Sequence, residues 1–201
     1  MSVAENIAAI REKMAVAAKE AGRDPSEILL VGASKMNDAA ACRAAIAAGI
    51  DALGENRVQE MTAKLSEDAY TGAPLHFIGH LQRNKVRQVV GKVDLIQSVG
   101  SLELLREIEK TAGKLEIVQD ILLEVNIGRE EAKSGFAPEA VEEAAKAALE
   151  CPHVRVCGLM TIPPADAPGR KIVGISAKFT RFMLTSIQNC FIMILSICQW
   201  A

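Results

Sequence analysis

Among the side chains of this sequence, the amine of Lys35 offers the most chemistry. It ends the run Ile28-Leu29-Leu30-Val31-Gly32-Ala33-Ser34-Lys35, whose bulky aliphatics suit a strand buried on both faces. The small Gly32, Ala33 and Ser34 leave room for something bulky beside that end. Two readings of such a lysine are open. In one it is a solvated residue that closes a strand; in the other, desolvation makes its amine nucleophilic and it condenses with an aldehyde to a Schiff base. Further polar groups, Glu55-Asn56, His80, Gln97-Ser98, Asn126 and Thr161, each stand where an apolar run stops. Gathering them on one face requires a fold that places successive strand ends together.

The elements that would do this alternate along the chain. Ile7, Ile10 and Met14 recur at helical spacing until Gly22, and Asn37 and Asp38 offer an N-cap to an alanine-rich helix over 39–48. Strands are predicted over 28–35, 50–53, 75–79, 93–98, 121–127 and 154–160. Helices are predicted over 55–65, 80–90, 102–112 and 138–149, with Gly113 stopping the third and Pro138 opening the fourth. Such alternation means a parallel sheet, either doubly wound or closed as a (β/α)8 barrel. No GxGxxG or GxxxxGK[ST] occurs at a strand-to-helix turn, which removes the nucleotide sites that a doubly wound sheet invites and favours the barrel. In a barrel the polar strand ends share one face.

Composition bounds the rest. With 201 residues, half of them hydrophobic, the chain can bury a sizeable core. A net charge of −2 without a basic run recommends neither nucleic acid nor an acidic membrane surface as partner. The cysteines Cys42, Cys151, Cys157, Cys190 and Cys198 form no CxxC pair and no metal-ligand spacing with histidine, so no metal is expected and a reducing cytoplasm fits. Glu5 and Glu12 interrupt the N-terminal segment, unlike the layout of a secretory signal.

Six segments carry a resemblance. They are Val31-Gly32-Ala33-Ser34-Lys35; Leu53 to Glu60 (LGENRVQE); His76 to Lys85 (HFIGHLQRNK); Ile96-Gln97-Ser98-Val99; Val125-Asn126-Ile127 with Lys133-Ser134-Gly135; and Gly158 to Pro163 (GLMTIP). In order and spacing, over roughly residues 1–165, they resemble the YggS/PROSC family of pyridoxal phosphate homeostasis proteins. The resemblance implies a TIM barrel of the alanine racemase N-terminal type. It implies that Lys35 holds pyridoxal 5'-phosphate (PLP) as a Schiff base, with Asn56, His76, Asn126 and Met160 facing the cofactor. For His76 and Met160 ordinary core packing is the competing reading. The family binds and buffers PLP in the cytoplasm without an assigned reaction, so a carrier is expected rather than an enzyme. PLP-dependent apoenzymes are the implied partners and a monomer is the intact family form. The alternative is a PLP-dependent amino-acid racemase or lyase of unassigned substrate. Racemisation needs a second acid/base, and Tyr70, the only tyrosine, stands in a polar loop.

The pattern breaks near residue 170. Every Asp and Glu lies at or before Asp166, and residues 171–201 carry only Lys171, Lys178 and Arg181 as charges. The family continues with two more strands, one bearing a motif near L-S-M-G-M-S. Cys198-Gln199-Trp200-Ala201 and a stop codon can be written so that the bases, read out of frame, encode Ser-Met-Gly-Met. The sequence therefore predicts an incomplete barrel of about six β/α units over 1–170, an out-of-frame tail over 171–201, and loss of the phosphate-binding loops that follow strands seven and eight. A membrane anchor over 182–198 is the rejected alternative, since polar residues interrupt it well short of ~20 apolar positions. Resequencing the gene around the codons for Arg170 and Lys171 should reveal the frame shift. An intact frame with the same bases would contradict it.

Overall fold

The computed structural model describes residues 2–130 and 133–162, so the tail expected over 171–201 lies outside the described residues. Two compact units divide the chain, one up to Gly79 and one from His80 on. In the first, α1 (Val3–Glu20), β1 (Val31–Ala33), α2 (Ala39–Ala47), β2 (Ala52–Glu55), α3 (Val58–Leu65) and β3 (Leu75–Phe77) follow one another. Its three strands pair in parallel, with Ala33 opposite Gly54 and Gly54 opposite His76. All their residues are buried, as parallel strands covered on both faces must be.

Local chemistry fixes this order. Ser2 and Glu5 form a capping box that starts α1, and the Asp38 carboxylate caps α2 by accepting from the Ala41 N–H at 2.8 Å. Between them Asp51 acts as a clasp. One carboxylate oxygen accepts from the Leu30 N–H at 2.6 Å, and the other pairs with Arg11 of α1 at 2.9 Å. Asp51 is thereby spent on joining α1 to the start of β1, and the pairing of Val31 opens at Ala52. The strand predicted over 50–53 is accordingly found at Ala52–Glu55. Glu55, expected to open a helix, is instead the last residue of β2, and α3 begins only at Val58 after Arg57 in an extended conformation.

The second unit holds β4 (Leu95–Val99), α4 (Leu102–Lys114), β5 (Gln119–Glu124), α5 (Val141–Leu149) and β6 (Val154–Met160), again with parallel pairing in chain order. The helix predicted over 80–90 is a 3-10 helix, Arg83–Gln88, continued by Val89 and Val90, which are buried with Val86. Its closing bonds, Lys85 N–H to the Gln82 carbonyl and Val89 N–H to that of Val86, span three residues and hold the turn too tight for an α-helix. Helix α4 passes through the predicted stop at Gly113. A side chain there would sit 3.1 Å from His153 Nδ1, so Gly113 serves close packing rather than helix termination.

Gly79 ends the first unit under the same kind of constraint. A Cβ at this position would fall on the Asn56 backbone, 2.5 Å from its Cα, and backbone cannot swing aside as a side chain can. Gly79→Ala should therefore destabilise the chain by about 3 kcal/mol, the upper end for overpacking, read as a lowered urea midpoint. A midpoint within error of the parent would show that the β2 end is not so tightly approached.

Candidate functional site

In the first unit the sheet presents two of the expected site residues together. Ser34 N–H donates to the Gly54 carbonyl at 2.9 Å, continuing the β1–β2 ladder beyond Ala33. Lys35 and Asn56 each lie two positions beyond the paired Ala33 and Gly54, so they leave neighbouring strands at the same edge. Ala33 and Gly54 are paired on one face, and Lys35 follows in a turn and Asn56 in a bend just past the two strand ends. His76 is paired with Gly54 and therefore lies one rung below them, buried in β3. Ile78, next along that face, is held over Gly54, where a side chain would meet its Cδ1 at 2.8 Å.

Lys35 is half-buried, and among the described residues its amine has neither a hydrogen-bond nor an ion-pair partner. Asn56 Oδ1 is enclosed and likewise lacks a hydrogen-bond partner among the described residues. An amine beside an orphaned amide oxygen, with only small residues before the amine, suits a ligand that brings both an electrophile and a hydrogen-bond donor. The backbone at this point is under tension. Met36 is 90 % exposed and has φ of 62°, a left-handed conformation that costs a non-glycine residue about 1 kcal/mol or more. It is held there by a turn in which Asn37 N–H donates to the Ser34 carbonyl at 3.1 Å and Met36 N–H donates to Glu60 at 3.0 Å.

Adjoining Lys35 and Asn56 in the chain, Ser34 and Glu55 belong to a buried polar cluster that the sequence does not announce. Glu55 is fully buried, and its Oε1 accepts from Lys64 Nζ at 2.6 Å, from Ser34 Oγ at 2.7 Å and from the Tyr70 hydroxyl at 2.9 Å. Tyr70, expected in a polar loop, is thus buried, and burial beside the Glu55 carboxylate pushes its phenol well above the usual range. The one available signal was an acidic residue closing an apolar strand, Ala52-Leu53-Gly54-Glu55. Nothing in spacing brings Lys64 or Tyr70 to it.

The remaining expected residues belong to the second unit. Asn126 spends its amide on the following loop, donating to the carbonyls of Glu130 at 2.8 Å and Lys133 at 3.2 Å and accepting from the Glu130 N–H at 3.1 Å. Both of its N–H donors are therefore occupied by backbone, which makes it a loop latch. Met160 closes β6, buried, with its carbonyl accepting from the Val125 N–H at 2.8 Å. Beside them Glu124 ends β5 as another buried carboxylate, 8 % exposed, with both oxygens 3.1 Å from the Ser134 hydroxyl. Gly100 and Gly135 admit this contact, since a Cβ on Gly100 would press on the Gly135 backbone at 2.8 Å. Among the described residues no cluster of three or more His, Cys, Asp or Glu could hold a metal ion.

Burial raises the Glu124 pKa, while the Ser134 hydroxyl and the field of His80 pull it down. A raised pKa means that the fold favours the neutral acid. The associated stability is fully present below the unfolded value and is lost as pH rises through the folded one. Glu124→Gln should therefore raise the urea midpoint at pH 7 and make no difference below about pH 4. An equal gain at both pH values would contradict a strained carboxylate.

Comparison with known proteins gives the same outline. Residues 6–187 match the family model of the alanine racemase N-terminal domain. A pyridoxal phosphate homeostasis protein of Aquifex aeolicus is 43% identical over 164 residues, covering 82% of this chain and 72% of that protein. The solved structure of PipY from Synechococcus elongatus with PLP bound superposes with a TM-score of 0.74 at 27% identity, covering 96% of this chain and 87% of that one. An alanine racemase of Clostridium difficile shares the fold, with a TM-score of 0.65 at 17% identity, covering 84% of this chain and 46% of its own. With its parallel β/α order, the family model matched over residues 6–187 and this degree of identity, the chain belongs to the family of pyridoxal phosphate homeostasis proteins.

Proposed function

We propose that this chain binds pyridoxal 5'-phosphate in intracellular PLP homeostasis, holding it as a Schiff base on Lys35. The observation that carries the reading is that a lysine amine and the Asn56 Oδ1, each without a partner among the described residues, follow the ends of neighbouring strands. PLP-bound PipY supports it from the side of the relatives. The residues fit such a group. Among the described residues the Lys35 amine has no carboxylate partner, Asn56 offers an acceptor, and the residues before Lys35 are the small Gly32, Ala33 and Ser34. When bound, PLP supplies an aldehyde that a neutral amine can capture with loss of water.

Within this reading the other expected residues take different parts. His76, one rung below Lys35 and Asn56, forms the buried floor beneath them. Asn126 ties the chain that follows it in the second unit to the carbonyls of Glu130 and Lys133. Met160 contributes packing at the end of β6. The barrel portion over residues 1–170 is the cofactor-binding part. The protein acts as a carrier in the cytoplasm, delivering PLP to apoenzymes that use it. No helix of the described residues is long and apolar enough to cross a membrane. A racemase or lyase would need a second proton-transfer group. The Tyr70 hydroxyl, buried and donated to Glu55 at 2.9 Å, is already committed elsewhere.

Incubation with PLP followed by borohydride should leave the cofactor covalently on Lys35, located by peptide mapping, and Lys35→Ala should lose both this adduct and the visible absorption band. A reduced adduct confined to other lysines would sink the assignment. Addition of amino acids in deuterated water should give no exchange of the α-proton; steady exchange would favour the racemase or lyase instead.

A further inference from the structure

We propose that the buried pair Glu55–Lys64 positions Lys35 for its ligand, an inference that rests on the reading of Lys35 as the PLP lysine. Lys64 is 7 % exposed and Glu55 not at all, so both charges have been taken out of water. Such pairs are poor sources of stability, because desolvation offsets most of their attraction and apolar replacements are often as stable. Their geometric consequence is the more telling property. Here it falls on Ser34, the residue immediately before Lys35.

Ser34 is gripped from two directions. Its hydroxyl donates to Glu55 Oε1 at 2.7 Å, and its carbonyl accepts from Lys64 Nζ at 2.7 Å, while the same amine reaches Glu55 at 2.6 Å. The carbonyl also receives the Asn37 N–H, so the turn that carries Lys35 is tied at its first residue to α3. Glu55 is in turn the residue immediately before Asn56. A single carboxylate therefore holds the ends of β1 and β2, which Lys35 and Asn56 follow directly. Tyr70 adds a third donor to the same oxygen at 2.9 Å. To shift Lys35 relative to Asn56, these buried bonds would have to be stripped in a site without solvent to replace them. Glu55 and Lys64 touch no ligand themselves; they act through Ser34 as positioning residues.

The test is the double variant Glu55→Gln/Lys64→Met in the full chain, which removes both charges with little change of volume, compared with the parent and with Lys35→Ala. Far-UV circular dichroism and thermal unfolding report whether it folds. PLP affinity and the pH midpoint of the lysine-bound absorption band report on Lys35. A folded double variant should bind about tenfold more weakly and show a displaced midpoint, which a role in stability alone would not produce. Parent-like affinity and an unmoved midpoint would overturn the proposal. Should the double variant not fold, Ser34→Ala removes one of the two grips alone and is expected to displace the midpoint; an unmoved midpoint there would be equally damaging. Failure of the parent to form any borohydride-stable adduct on Lys35 would be a different result, overturning the PLP reading and with it the positioning role.

Discussion

One carboxylate oxygen, Glu55 Oε1, organises the first unit of this protein. It collects donors from the end of β1, from α3 and from the turn before β3, at 2.6 to 2.9 Å. Parallel strands have no hairpins to fix their relative positions, so their ends are set by what the connecting segments reach. Here the connecting segments supply Lys64 and Tyr70, and both reach the same atom. The clasp of Asp51 on Leu30 and Arg11 does a similar service at the other end of the strand pair. Between those two fixed points β1 and β2 are aligned, and Lys35 and Asn56 emerge as neighbours.

The ends of β1 and β2 held by this scaffold are where the candidate site lies. The residue before Lys35 and the residue before Asn56 meet on the side of α3, where Ser34 and Glu55 Oε1 bond each other and Lys64, while Glu55 Oε2 has no partner among the described residues. Lys35 and Asn56 follow directly, and among the described residues the amine of one and the amide oxygen of the other have no partner. The second unit repeats the device in part, with Glu124 buried at the end of β5 and bonded to Ser134, and Asn126 tying the loop that follows. In each unit a carboxylate at the close of an apolar strand is used inward, to hold chain, rather than outward, to meet ligand.

Much of this was legible in the sequence, for identifiable reasons. The alternation of apolar runs with capped helices gave the parallel β/α order, and Lys35 stood out because a charge ends an otherwise apolar strand. The same signal at Glu55 was misassigned to a helix start, since Gly54 weakens the strand pattern and Asp51 looks like part of it until its bonds to Leu30 and Arg11 are known. Lys64 could not be found at all: on a surface helix a lysine is solvated by default, and only the tertiary approach of α3 to the end of β1 buries it. Tyr70 was hidden in the same way, its polar neighbours Glu67 and Asp68 suggesting a solvated loop while the ring itself turns inward. Asn126 reads as the close of a strand over 121–127, whereas β5 ends at Glu124, and the bonds to Glu130 and Lys133 that occupy its amide depend on the chain folding back, which no local periodicity reveals.

The claim at the centre of this account is that the sheet edge bearing Lys35 and Asn56 is a preorganised cofactor site. A crystal structure of the chain grown with PLP and reduced in place tests it most directly. The account predicts continuous density from Lys35 Nζ to the cofactor, a hydrogen bond to Asn56 Oδ1, and Ser34, Glu55, Lys64 and Tyr70 bonded as they are now. Cofactor attached to a different lysine, or bound at Lys35 only after the Glu55 cluster has come apart, would contradict it.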